Sequence, residues 1–171
     1  MKDVFLLYDS CCFYEIVILN YFMNCTECDV LFCSPDGKPI RATEGYCVNV
    51  DMALSELDKS QIRSFIIPGG DISVVSNGAV FELLKELKEK KRVVGGICAA
   101  VDLLKKAGIL YGLQTTHSAD CDVANDQKVI TARANAYVDF AIEVAKELEL
   151  FEDEADLQET IDFWKYHKRM G

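Results

Sequence analysis

Apolar residues follow two rhythms along this chain. Short unbroken runs such as Phe5-Leu6-Leu7-Tyr8, Phe65-Ile66-Ile67 and Val93-Val94 have the length and the aromatic or β-branched character of buried strands. Between them the apolar positions recur every three or four residues: Ile16, Leu19 and Met23; Val101, Leu104 and Ala107; Phe140, Val144 and Leu148. That spacing lines one face of a helix. The pattern predicts strands over 2–8, 29–34, 64–67, around 93–94 and over 129–131, and helices over 13–23, 80–90, 99–107 and 137–150. The turn Ser34-Pro35-Asp36-Gly37 leads into a hairpin of 40–42 with 46–50, and 152–168 reads as a last amphipathic segment carrying Leu157, Ile161 and Trp164 on one face. Strands that alternate with helices and end in glycine or other small residues predict an α/β fold, a three-layer α/β/α sandwich with a mostly parallel central sheet.

A length of 171 residues suits one core and is short for two, so a single domain over 1–171 is expected, with 152–171 as a C-terminal helical extension. The net charge of −10 argues against nucleic acid or an anionic membrane surface as partner. No apolar run is long enough to span a bilayer. The first apolar run is cut by Asp9 too early for a signal peptide. The eight cysteines fall in strand-like segments (Cys33, Cys47) or at helix starts (Cys11, Cys12), and a cytoplasmic chain with reduced thiols is expected. Cys25-Thr26-Glu27-Cys28 is a C-x-x-C pair with no second ligand pair to complete a zinc site, so no metal is expected. It follows a helix instead of opening one, which gives no reason for a redox role. No G-x-G-x-x-G or P-loop follows a strand, and no cofactor is expected.

Candidate chemistry concentrates at Gly95-Gly96-Ile97-Cys98-Ala99-Ala100, where a strand ends and a helix begins at once. Cys98 sits on the corner, in a strained backbone whose neighbours two residues away, Gly96 and Ala100, are suitably small. A thiol in the first turn of a helix faces unpaired N–H groups and the positive end of the dipole, so an unusually acidic Cys98 is expected. Pro68-Gly69-Gly70-Asp71, closing the third strand of the sheet, fits an ordinary turn and equally a place where backbone N–H groups approach a ligand. Glu15, in a helix's first turn, fits a solvated carboxylate against the helix dipole and equally a working acid. His117 is the only histidine of the central chain and the candidate proton-transfer partner for a thiolate, whereas His167 lies in a charged tail and is expected to be exposed.

The Tyr14-Glu15-Ile16-Val17 helix start, the Ile67-Pro68-Gly69-Gly70-Asp71 turn, the Gly95-to-Ala100 corner, Thr116-His117 and Ile130-Thr131-Ala132-Arg133-Ala134-Asn135 together resemble the ThiJ/PfpI family. This group belongs to the class I glutamine-amidotransferase-like superfamily and includes the parkinsonism-associated deglycase-like proteins; the resemblance runs over nearly the whole chain. It implies a flavodoxin-like sandwich with Cys98 as the reactive cysteine and Glu15 as a buried acid bonded to its sulfur. It also implies an oxyanion pair from the Gly70 and Ala99 backbone N–H groups, His117 in the pocket, and Asp71 and Arg133 as further pocket positions, Arg133 near a homodimer interface. The activity implied is that of a hydrolase or a glyoxalase- or deglycase-like enzyme, in which Cys98 attacks a small carbonyl or acyl substrate. The alternative is a non-catalytic oxidation sensor or a stress-linked, chaperone-like protein. The protease branch of the family carries His directly after the cysteine; Ala99 stands there, which counts against proteolysis.

Overall fold

The computed structural model describes residues 1–169, so the last two residues of the expected 152–171 extension lie outside the described residues. In chain order the elements are β1 (Lys2–Leu6), α1 (Tyr14–Cys25), β2 (Val30–Ser34), β3 (Ile40–Arg41), β4 (Cys47–Val48), β5 (Met52–Ala53), β6 (Ile62–Ile67), α2 (Gly78–Glu89), β7 (Val93–Ile97), α3 (Ala100–Lys106), β8 (Val123–Asp126), β9 (Val129–Ala132), α4 (Tyr137–Glu147) and α5 (Glu154–Trp164). Seven strands form one sheet in the order β5-β2-β1-β6-β7-β9-β8, while β3 and β4 make a separate antiparallel hairpin. Every pairing in the large sheet is parallel except that of the edge strand β8 with β9. The expected sandwich with a mostly parallel sheet is the fold observed.

Parallel strands covered on both faces read as near-continuous apolar runs, and Val4, Phe5 and Leu6 of β1, Phe65 to Ile67 of β6 and Val94 of β7 are wholly buried. Each such side chain contributes roughly 1.5–3 kcal/mol by leaving water. Helices α1 and α4 pack together on one face, with α4 lying over β7 and β9, and α2 and α3 pack on β7 from the other. The edge of Trp164 in α5 meets Phe22 of α1 at 5.8 Å between ring centroids. The adjacent glycines of β7 admit the two helical layers. A Cβ at Gly95 would lie 2.9 Å from Phe140 of α4, and one at Gly96 would lie 2.7 Å from Leu104 of α3.

Two strands escape the sequence pattern. β5 is a two-residue edge, and β8 reads Val-Ala-Asn-Asp because its outer side faces solvent. Its polar side chains are used all the same: Asn125 donates to Glu147 Oε2 (2.9 Å) and Asp126 accepts the Gln114 N–H (2.8 Å). Thr115 to Ser118, a β-prone stretch in sequence, is a turn closed by the Thr115 N–H on Ser118 Oγ at 2.8 Å. Helix α1 has no capping side chain of its own; the β3–β4 loop supplies one, with Glu44 accepting the Tyr14 N–H at 2.7 Å and the Phe13 N–H at 3.2 Å. A carboxylate there satisfies orphan donors and complements the helix dipole.

Candidate active site

The carboxyl ends of β1, β6, β7 and β9 lie side by side in the sheet, and the segments leaving them meet there. Cys98 follows β7 directly with φ +58°, a left-handed conformation that is uncommon for a residue with a side chain. Its own N–H is held by the Ala132 carbonyl at the end of β9 (2.9 Å), and the Ala99 N–H is directed at the sulfur. Helix α3 then begins at Ala100. The corner predicted from two glycines, a cysteine and two alanines is the local structure found.

Opposite it stands the turn after β6. Tyr8 donates its hydroxyl hydrogen to the Pro68 carbonyl (2.7 Å), and the Cys12 N–H bonds the Gly69 carbonyl (2.9 Å), which ties the turn to the chain leaving β1. Gly70 must be glycine: it has φ +122°, and a Cβ there would lie 2.1 Å from the Ser10 carbonyl oxygen. Gly69 matters for another reason. A Cβ at this position would come within 2.7 Å of Cys98 Cβ, 2.9 Å of its sulfur and 3.0 Å of Glu15 Oε2, so the missing side chain is the space across which thiol and carboxyl meet.

Glu15 is 1% exposed, which removes the reading of a solvated surface carboxylate. Its Oε2 accepts the Gly69 N–H at 2.6 Å and its Oε1 accepts the Tyr14 hydroxyl at 3.4 Å; no cation is paired with it among the described residues. Burial therefore raises its affinity for a proton, against the lowering effect of the Gly69 N–H and of the Cys98 and Tyr14 contacts. The thiol responds likewise. Burial first, and the negative charge of Glu15 second, push Cys98 up to about 11, with the Ala99 N–H acting the other way. The expected acidic thiol is thus corrected, because the short helix α3 and a single N–H do not offset desolvation next to a carboxylate. Since each group is made more basic by its setting, the pair retains at least one proton at neutral pH.

The other expected residues make the following contacts. The buried Thr116, whose N–H rests on Thr131 Oγ1 (3.1 Å), turns its neighbour outward. His117 Nδ1 lies 3.7 Å from Asp102 on the outer side of α3, and the ring lines a groove of about 410 Å³ with Leu110, Tyr111 and Leu113 that does not include Cys98. Asp71 spends its carboxylate on the Ser73 N–H and hydroxyl (3.1 and 2.6 Å), which hold it below the usual range. Arg133 pairs with Asp120 (3.0 Å) and Asp122 (3.6 Å). Within the expected oxyanion pair the Ala99 N–H faces the sulfur, and the Gly70 N–H donates to no acceptor among the described residues. Sequence reasoning gave no role to Tyr14 or Glu44 and singled out Gly69 only as part of the Pro68-to-Asp71 turn, without its place between thiol and carboxyl.

The profile of the DJ-1/PfpI family matches residues 1–147. The chain belongs to the DJ-1/PfpI family. It is 32% identical over 79 residues to a deglycase of Thermococcus kodakarensis, an alignment that takes in 45% of this chain and 48% of that protein. It is 25% identical over 151 residues to a glutathione-independent glyoxalase of Caenorhabditis elegans, covering 79% and 81% of the two chains. The chain spans about half the length of the archaeal deglycases it matches. Among solved structures, a DJ-1 superfamily protein of Agrobacterium tumefaciens superposes with a TM-score of 0.83 at 26% identity, over 98% of this chain and all of that one. Drosophila melanogaster DJ-1beta, at 19% identity and TM-score 0.80 over 94% and 95% of the chains, shows the same fold. No helix among the described residues of this DJ-1/PfpI member is long and apolar enough to cross a membrane.

Proposed function

We propose that this protein is a cysteine-dependent enzyme acting on small carbonyl compounds, of the glyoxalase or deglycase kind. One observation carries the reading: the Glu15 carboxyl and the Cys98 thiol face each other across the empty Cβ position of Gly69, on a corner strained to φ +58°. A group that both gives and takes one proton beside a sulfur is what addition to a carbonyl requires. As the sulfur bonds to the carbonyl carbon, the thiol proton passes to Glu15, and the new alkoxide can be held by the Gly70 and Ala99 N–H groups until Glu15 returns the proton. A 1,2-dicarbonyl substrate then needs a proton moved between adjacent carbons, and water releases the hydroxy acid from sulfur. The names of the deglycase and glyoxalase relatives support the substrate class.

In this mechanism Glu15 carries the proton without His117, whose Nδ1 lies 3.7 Å from Asp102. Turnover of methylglyoxal by the purified protein, abolished in Cys98→Ala, tests the proposal. Equal rates in the two proteins, or no turnover of any dicarbonyl or glycated amine, overturn it.

A further inference from the structure

The C-x-x-C pair lies at the opposite end of the sheet, where α1 ends. Glu27 adopts φ +55° and the Cys28 N–H bonds the Met23 carbonyl at 2.9 Å, so the chain doubles back within three residues and both thiols stay on one turn. Cys25 is exposed and Cys28 half-buried, and both are free thiols. What the sequence does not reveal is Arg63. Its Nη2 stands 3.0 Å from the Cys28 sulfur, while Asp3, wholly buried, grips the same guanidinium through Nε (2.9 Å) and Nη2. A guanidinium only donates, so the sulfur must accept, and any negative charge that gathers there meets a fixed positive partner. Thr26 Oγ1, 3.5 Å away, is the other polar neighbour of the sulfur. Cys28 and Arg63 open on a cavity of about 580 Å³, whose wall also carries Met1, the carboxylates Glu27 and Glu149, and Asp29, which is paired with Lys2 at 2.7 Å.

We propose that Cys25 and Cys28 are a second, redox-active site, a dithiol that reduces small disulfides bearing amino groups. The Arg63 guanidinium, 3.0 Å from the Cys28 sulfur, stands where a helix N-terminus stands in other C-x-x-C pairs. The Cys28 sulfur, its proton lost to solvent, attacks one sulfur of a disulfide RSSR, forming a Cys28–S–S–R bond and releasing RS⁻. The Cys25 thiol, likewise deprotonated by solvent, rotates from the helix face and attacks the Cys28 sulfur; the second RS⁻ leaves and both leaving groups take up protons. The protein gives up two electrons and two protons, and RSSR becomes two RSH. The acidic cavity wall selects amine-bearing disulfides by charge.

The test uses the full-length protein with cystamine as the probe, followed by blocking of free thiols and mass mapping of the peptides. The expected product is a Cys25–Cys28 disulfide, with cystamine faster than the anionic glutathione disulfide. In Cys25→Ser, which leaves the Asp3–Arg63 pair untouched, the reaction stops at a mixed disulfide on Cys28. Arg63→Lys slows capping of Cys28 about tenfold, the size of one lost charge-assisted hydrogen bond. The proposal fails if Cys25 and Cys28 remain free, or are each capped separately at the rate of the exposed Cys47. It fails equally if Arg63→Lys reacts at the wild-type rate, and charge selection fails if glutathione disulfide is the faster oxidant.

Discussion

Among the described residues two carboxyl groups are sealed inside the protein, Asp3 at the foot of β1 and Glu15 beyond its carboxyl end, and their partners are opposites. Asp3 accepts two hydrogen bonds from Arg63 and one from Ser64 Oγ at 2.7 Å, a full complement for a buried charge. Glu15 has one backbone N–H, one tyrosine hydroxyl and a thiol, and no cation among the described residues. A buried charge held by its counter-charge and a hydroxyl has its hydrogen-bonding capacity met where it stands. A buried carboxyl without one is left able to trade its proton with the group beside it. Burial alone therefore does not distinguish the two; the partner does.

The largest expected effect tests the structural member of that comparison. Asp3→Ala leaves the half-buried Arg63 guanidinium and the buried Ser64 hydroxyl without their acceptor and is expected to lower unfolding stability by about 3 kcal/mol in urea titration, leaving turnover per folded molecule unchanged. A loss below about 1 kcal/mol would mean that water replaces the carboxylate and that the pair does not hold β1 to β6. Glu15→Gln should do the reverse. The amide keeps the size of the carboxyl and can still accept the Gly69 N–H, so the fold survives, while turnover of dicarbonyl substrate falls about 100-fold for want of a proton carrier. Full activity in the Glu15→Gln protein would end the assignment of Glu15 as that carrier.

Smaller effects sharpen the electrostatics. Glu15 contributes to the raised proton affinity of Cys98, so in Glu15→Gln the pH midpoint of Cys98 alkylation should drop below about 11. No movement, or a rise, would mean that burial alone sets the thiol. The same burial makes stability depend on pH with a defined sign. Below 4.5, the ordinary value for Glu15, the carboxyl is neutral folded and unfolded. Above it the unfolded chain releases the proton while the native state still holds it, so native stability falls as pH rises towards the raised native value. Glu15→Gln escapes this loss, and its stability relative to wild type should grow as pH rises from 4.5 towards the raised native value. A flat difference across that range would show Glu15 to be as easily ionised as a surface residue.

What the sequence could show follows from range. The strand-helix alternation and the Cys98 corner are local, written in apolar periodicity and in Gly95, Gly96, Ala99 and Ala100, and both were legible. The thiol's protonation was not, because it depends on Glu15, far away along the chain, and on burial that no local pattern reports. Glu44 as the cap of α1 and Arg63 as the neighbour of Cys28 are contacts of the same long-range kind, 31 and 35 residues apart. β8 was missed for a different reason: an edge strand has one solvated side, and polar residues such as Asn125 and Asp126 disguise it as a loop.

His117 is where family resemblance and geometry part, and it gives the smallest expected effect. The family pattern makes it a pocket histidine, yet Thr116 fills the inward position of the Thr115-to-Ser118 turn and His117 points along α3 towards Asp102. That pair, 3.7 Å apart with both side chains more than a third exposed, is worth no more than about 1 kcal/mol. His117→Ala is expected to change turnover less than about twofold and leave the pH profile of Cys98 alkylation in place, because the proton moves between the sulfur and Glu15. A loss comparable to that of Glu15→Gln would mean that substrate binding swings the turn over the sulfur. The active arrangement would then have two proton carriers, and the contrast between a paired Asp3 and a solitary Glu15 would describe only the resting state.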